Sequence, residues 1–342
     1  VEPRSRSGVQ QPRSVAELAG WVPFDLADRP DGTVVQWIDL GDTEFSDPFF
    51  RDTINRRREQ QDARILETGL QPLCELPAFA PHLRPSGFVF HASRAGSTLL
   101  SNALKAMDDN LVLVEPNPLN QMLGSPARRT HPTMWDQLFK GLTACLGQPR
   151  RAAQSRYFIK FSSHNVLQVG DILRCYPNVP WIFLYRDPAE IIASALRSAP
   201  GWLAHLEAPE KAEAIFGISA DAAQQMDRTE FGAAVLERFF DAALAAGDDQ
   251  RRFLNYRHLR QDTIASVLRP LGLAPDKAAE DRMRTLFNYD SKSIRKKPFE
   301  DRNEATAYDS EVTCPESLLQ KFRALESQAF VPQRSDSQDS AI

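Results

Sequence analysis

The run Gly87–Asp108, GFVFHASRAGSTLLSNALKAMD, constrains the fold more than any other stretch of the chain. Gly87–His91 is a short, continuous apolar strand. Ala92–Gly96 is a loop of small residues around a single cation, Arg94. Ser97–Asp108 then sets Leu100, Leu104 and Met107 on one helical face. A strand, a tight loop and an amphipathic helix form a βα unit that has to bury its strand in a larger sheet. Further apolar runs of strand length follow at Leu111–Val114, Tyr157–Phe161, Trp181–Tyr185 and Phe253–Tyr256, with helical patterns between several of them. Short strands that are apolar on both faces and alternate with helices predict an α/β fold, a three-layer parallel sheet flanked by helices. Ligands of such sheets bind at the carboxyl ends of the strands.

This α/β domain is expected over 87–330. Residues 15–86 form a small N-terminal extension: a hairpin strand, TVVQWIDL at Thr33–Leu40, after the turn signal Arg29-Pro30-Asp31-Gly32, then a helix starting at Asp47-Pro48. Polar ends at 1–14 and 331–342 read as disordered tails. The helix over 230–246 offers Leu236, Phe239 and Phe240 to the core, whereas 198–228 is irregular.

With 342 residues, 42% of them hydrophobic and 25% charged, the chain has enough apolar material for a sizeable core. Its formal charge of −4 argues against nucleic acid as a partner. Cys74, Cys145, Cys175 and Cys314 lie too far apart for a zinc motif, so no metal is expected and the thiols fit a reducing, cytoplasmic setting. No apolar run reaches the length of a membrane span, and no signal-peptide core opens the sequence. The first residue, Val1, leaves open a processed chain or a domain cut from something larger.

The loop 91–98 has the layout of a phosphate site. Ala92, Ala95 and Gly96 let the backbone approach an anion, the helix start adds its dipole, Ser97 and Thr98 offer hydroxyls, and Arg94 adds a charged fork. A plain strand-to-helix turn with a serine cap is the alternative for the loop taken alone. A nucleoside-triphosphate loop requires lysine directly after the glycine. Here Ser97 follows Gly96, which counts against a kinase.

FVFHASRAGSTLLSNAL resembles the 5′-phosphosulfate loop of the sulfotransferases, a family with a P-loop-like α/β fold. Arg94, Gly96, Ser97 and Thr98 fit its core, and Ala95 replaces the usual serine. WIFLYRDPAEIIAS at Trp181–Ser194 is similar to the family's second motif, an arginine at a strand end and a serine eight residues on. The resemblance therefore implies that Arg186 and Ser194 hold a 3′-phosphate. It further implies 3′-phosphoadenylyl sulfate as cosubstrate and 3′,5′-bisphosphoadenosine as product. Tyr256 in FLNY matches a tyrosine of the family weakly. Lys292, Arg295, Lys296 and Lys297 are either a solvated face or a C-terminal loop over the nucleotide, with Lys296 and Lys297 as its contacts.

Sulfuryl transfer needs a base for the acceptor and cations for the leaving group. Glu115, at the end of LVLV and expected to be held in extended geometry before Pro116, stands where tyrosylprotein sulfotransferases, which this stretch resembles, place their base. His164 is the second candidate, sharing a face with Lys160 and Ser162 if the chain stays extended. His91 is the third, although a role in shaping the loop suits it better. Lys160, with Arg94, is expected to stabilise the leaving group. Asp187 is expected to pair with Arg186. The acceptor, whether a small molecule or a carrier- or peptide-bound group, is open. Trp135, Trp202 and Phe216 are either its pocket or ordinary core. A small-molecule kinase with an atypical loop and a nucleotide-binding module without catalysis stand as competing readings.

Overall fold

The apolar runs become strands where β-branched and aromatic residues can be buried on both faces. The computed structural model describes residues 12, 14–30, 32–247, 251–292 and 312–334. Its strands are β1 (Trp21–Arg29), β2 (Gly32–Asp39), β3 (Ile65–Thr68), β4 (Pro85–His91), β5 (Asn110–Val114), β6 (Arg156–Lys160), β7 (Trp181–Tyr185) and β8 (Arg251–Asn255). Five of them form a parallel sheet in the order β5-β6-β4-β7-β8, flanked by helices, which is the predicted fold class. β1, β2 and β3 form a separate antiparallel sheet. The chain divides into two compact units: residues up to 85 together with 108–159, and residues 86–107 together with those from 160 onward.

In the second unit, Phe88 pairs in register with Trp181 and Phe90 with Phe183, and Phe183 in turn faces Phe253 on β8. Phe88, Val89 and Phe90 have no exposed surface, as befits a central strand covered on both faces. Phe90 stacks on Phe161 with ring centroids 4.9 Å apart, and Phe240 from the helix Arg228–Ala245 meets Phe183 edge-on. Each such ring contributes about 1.5–3 kcal/mol by leaving water. Asp227 and Glu230 close a capping box at the start of that helix. The irregular segment 198–228 resolves into a 3₁₀ turn and two short helices, Pro209–Phe216 and Ala220–Gln225. A helix at Glu316–Ser327 lies beyond what the sequence pattern predicts. Glu326 anchors it to the sheet by accepting from the Tyr185 hydroxyl and from Asn255 Nδ2 and by pairing with Arg257. Burial alone would raise the Glu326 pKa, but those partners bring it below the ordinary value.

In the first unit, the expected strand pairs with β1 as a hairpin, and the expected helix begins at Phe50, two residues after the proline. Asp47 accepts from Thr53 Oγ1 at 2.8 Å and from Arg56, and so holds the helix entrance. The helix Asn117–Gly124 is joined to β1 through Gln121, which accepts from Leu26 N and donates to Leu26 O.

Among the described residues no helix is long and apolar enough to cross a membrane. The tail residues 1–11, 13 and 335–342 and the cations Arg295, Lys296 and Lys297 lie outside the described residues.

Candidate functional site

Among the described residues, three non-glycine positions have φ in the left-handed region: Ser93 (65°), Arg94 (50°) and Glu115 (53°). Such a conformation costs about 1–2 kcal/mol for an L-residue. All three belong to the stretches that the sequence singles out, two of them in the loop 91–98.

That loop belongs to the second unit. Ala92 N donates to Leu184 O, which carries the β4–β7 ladder one step beyond the strand. Ser93, Arg94 and Gly96 (φ 77°) then wind the chain left-handedly into the helix Ser97–Lys105. Turns of this kind gather backbone N–H groups into a concavity that suits an anion. Gly96 stands at the N-cap, where no side chain caps the helix, so the first-turn amides keep their capacity for an anionic ligand.

Gly96 is required for a second reason. A Cβ at this position would stand 2.7 Å from Tyr256 Cδ2 and 3.0 Å from Leu259 Cδ2. The guanidinium of Arg186 lies over the same Tyr256 ring, 4.9 Å from its centroid. Tyr256, a weak match in the sequence, thus packs against both the Arg94 loop and the strand-end arginine. Gly96→Ala combines strain with overlap. It is expected to weaken anion binding at the loop at least about tenfold, the effect of about 1.4 kcal/mol. Equal titrations of native and variant chains with 3′,5′-bisphosphoadenosine would show that the loop tolerates the methyl group.

Arg94 donates from Nε to Ser194 Oγ at 2.9 Å, which joins the loop 91–98 to the helix Pro188–Arg197. Ser194 is buried in this contact, not turned to solvent. The Arg94 pKa is pushed down first by burial, then by the charges of Arg197 and Arg186, with Asp290 opposing. Three guanidinium groups therefore concentrate positive charge near the loop. Arg197 was not foreseen. Its spacing of three from Ser194, one helical turn, was the available signal. Asp187 does not pair with Arg186 as expected. Its carboxylate caps the helix by accepting from Ala189 N at 2.9 Å, and Arg186 instead donates to Glu190, one turn on. A carboxylate just before Pro188 is better placed for the first-turn amides than for its neighbour.

His91 accepts from Ser93 N at Nδ1, 3.0 Å, and so shapes the loop. Burial, with the charges of Lys160 and Lys292 added, holds its pKa well below the usual histidine value. Lys160 is 1% exposed at the end of β6. Asn102 of the loop helix donates to Ser291 O at 2.9 Å, which brings the segment with Asp290 and Lys292 to the same region. Lys296 and Lys297 lie outside the described residues.

The extended run expected to align Lys160, Ser162 and His164 does not exist. β6 ends at Lys160, and Ser162 with Asn165 forms a capping box for the 3₁₀ helix Ser163–Gln168. A serine at 162 starts that turn, and His164 sits half-buried within it. Glu115, in the first unit, is likewise not extended. The chain turns through this one left-handed residue to pass from β5 to Pro116 and the helix Asn117–Gly124. Trp135, Trp202 and Phe216 are core residues. Trp135 stacks on Phe139 and donates to Met122 O, and Phe216 packs on Phe231 and Phe239.

No protein-family model matches the sequence, and no curated protein sequence matches it. Among solved structures, the chain is similar to a sulfotransferase domain from the curacin biosynthetic pathway, at 13% identity and a TM-score of 0.42 over 74% of this chain and 100% of that one. It is also similar to a sulfotransferase from Mycobacterium avium, at 14% identity and a TM-score of 0.41 over 75% of this chain and 80% of that one. A third likeness is to the sulfotransferase domain of a Synechococcus olefin synthase, at 16% identity and a TM-score of 0.41 over 73% and 96%. At these identities and TM-scores the likeness carries no residue's role across.

Proposed function

We propose that the chain binds 3′-phosphoadenylyl sulfate and transfers its sulfuryl group to a hydroxyl or amine of an acceptor. The observation that carries this reading is the Arg94–Ser194 hydrogen bond, which joins two motifs a hundred residues apart into one cationic site. The nucleotide supplies the activated sulfuryl group. The loop amides, Ala95, Gly96, Ser97 and Thr98 cradle its 5′ end, and Arg186 and Ser194 hold the 3′-phosphate, with Lys296 and Lys297 as its further expected contacts. The acceptor oxygen bonds to sulfur as the bond from sulfur to the 5′-phosphate oxygen breaks. The electron pair leaves on the phosphate, and the acceptor proton passes to Glu115. Lys160 and Arg94 offset the charge that builds on the leaving oxygen, so the scheme requires no metal. His164 is the alternative base.

Calorimetric titration tests the nucleotide half. 3′,5′-Bisphosphoadenosine is expected to bind without magnesium, and ATP to bind poorly. Tight, magnesium-dependent ATP binding with no response to the bisphosphate would favour an atypical kinase and sink the proposal. Binding of the bisphosphate without turnover on any acceptor would leave a nucleotide-binding module. Arg186→Ala is expected to weaken the bisphosphate about 10–100-fold, the loss of a charge-assisted contact of about 1.5–3 kcal/mol. An unchanged affinity would remove Arg186 from the site.

A further inference from the structure

The first unit holds a cavity of about 470 Å³, within the roughly 300–1,000 Å³ range of small-molecule sites. Its walls come from the N-terminal extension and from the chain just after β5, so Glu115 lines it together with residues to which the sequence assigns no role. One face of the helix Phe50–Arg58 forms a wall. Arg51, Ile54, Asn55 and Arg58 follow the spacing i, i+3, i+4, i+7, which places a guanidinium at each end of an apolar and amide stripe. Phe24 and Phe50 add aromatic surface.

The charges in this cavity are unequally committed. Asp25 Oδ1 already accepts from Asn117 Nδ2 and Gln121 Nε2, each at 2.8 Å. Arg58 has no carboxylate partner among the described residues. Its guanidinium lies over the Phe24 ring, 5.5 Å from the centroid. Arg51 lies over Phe49 and pairs with the neighbouring Asp52 at 3.7 Å. A guanidinium held over a ring keeps its hydrogen-bonding edge for an anion.

We propose that this cavity is the acceptor site, and that the acceptor is a small hydroxyl-bearing molecule with an apolar body and an anionic group. Arg58 and Arg51 hold the anion, the phenylalanines cover the body, and the hydroxyl is left to Glu115. The proposal rests on the reading of Glu115 as the base, because a base has to touch the group it deprotonates.

Ligand-observed NMR titration of the full chain with three matched probes tests it: 4-hydroxyphenylacetate, 4-hydroxyphenyl phosphate and the neutral 4-hydroxyphenylacetamide. At least one of the anions is expected to bind at least about tenfold more tightly than the amide. Comparison of the two anions then tells a carboxylate site from a phosphate site. The Arg51→Met, Arg58→Met double variant is expected to bind all three probes alike, and Arg58→Lys, which retains the charge, to keep the preference. Equal binding of the three probes to the native chain, no binding of any, or a preference that survives in the double variant would each overturn the proposal. Titration with 3′,5′-bisphosphoadenosine separates the two readings. A chain that prefers the anionic probes but ignores the bisphosphate keeps this cavity as an anion site and loses the transferase reading. The reverse result loses the cavity alone.

Discussion

Glu115→Gln is expected to lower turnover about 10²–10⁴-fold, the usual contribution of a positioned general base. Glutamine keeps the size and shape of the side chain and removes its ability to take a proton. Affinity for 3′,5′-bisphosphoadenosine, measured by calorimetry, should not change. Release of the bisphosphate with an acceptor that supports turnover reports the rate. The left-handed backbone at this residue allows a second, independent arm. Glycine adopts that conformation without steric cost, so Glu115→Gly is expected to relieve about 1 kcal/mol of strain, less what glycine's freedom in the unfolded chain takes back. A catalytic role predicts that the glycine variant is at least as stable as the native chain and as inactive as the glutamine variant. A residue that only makes the turn predicts full activity in both. A native rate in Glu115→Gln would move the proton transfer to His164.

Lys160→Met is expected to lower turnover about 10²–10³-fold, in the range found when one donor to a developing oxyanion is removed. Methionine fills similar space without charge, so this nearly fully buried position keeps its packing. The loss should fall mainly on turnover, because the charge it offsets develops only as the sulfur–oxygen bond breaks. His91 provides a readout that does not depend on catalysis. Lys160 is one of the charges that depress its pKa, so removal of the ammonium should raise that pKa, measurable by NMR titration of the imidazole. An unmoved His91 together with native turnover would place the Lys160 charge away from the loop. An upward shift in His91 with native turnover would leave Lys160 a purely structural cation.

Much of the second unit could be read in the sequence because its determinants are local. The continuous apolar runs at Phe88–Phe90 and Trp181–Tyr185 can be satisfied only by strands buried on both faces, and they are buried on both faces. The tight strand-to-helix turn could be read because small residues around Arg94 permit it. That Arg186 follows a strand end and Ser194 lies on the next helix could be read because their spacing is local. Errors arose where one residue had two local options of similar cost. Asp187 could pair with Arg186 or cap a helix, and the orphan amides of that helix prevailed. Ser162 could continue a strand or start a turn, and the reciprocal bond with Asn165 settled the turn, which removed His164 from the face of Lys160. Glu115 could stay extended or bend left-handed, and the passage from β5 to the next helix required the bend.

By itself the sequence determined the βα units, the order of the Arg94 loop and the strand-end arginine, and the presence of an acidic residue after β5. These follow from periodicity and spacing, which a chain carries in itself. Only the tertiary structure decided that Arg94 bonds Ser194 across a hundred residues, that Tyr256 fills the space a Cβ on Gly96 would need, and that the extension before residue 86 walls a cavity with Glu115. Such convergences depend on which helix packs on which strand and at what register. That outcome is a property of the packed core as a whole, and no local stretch of residues encodes it.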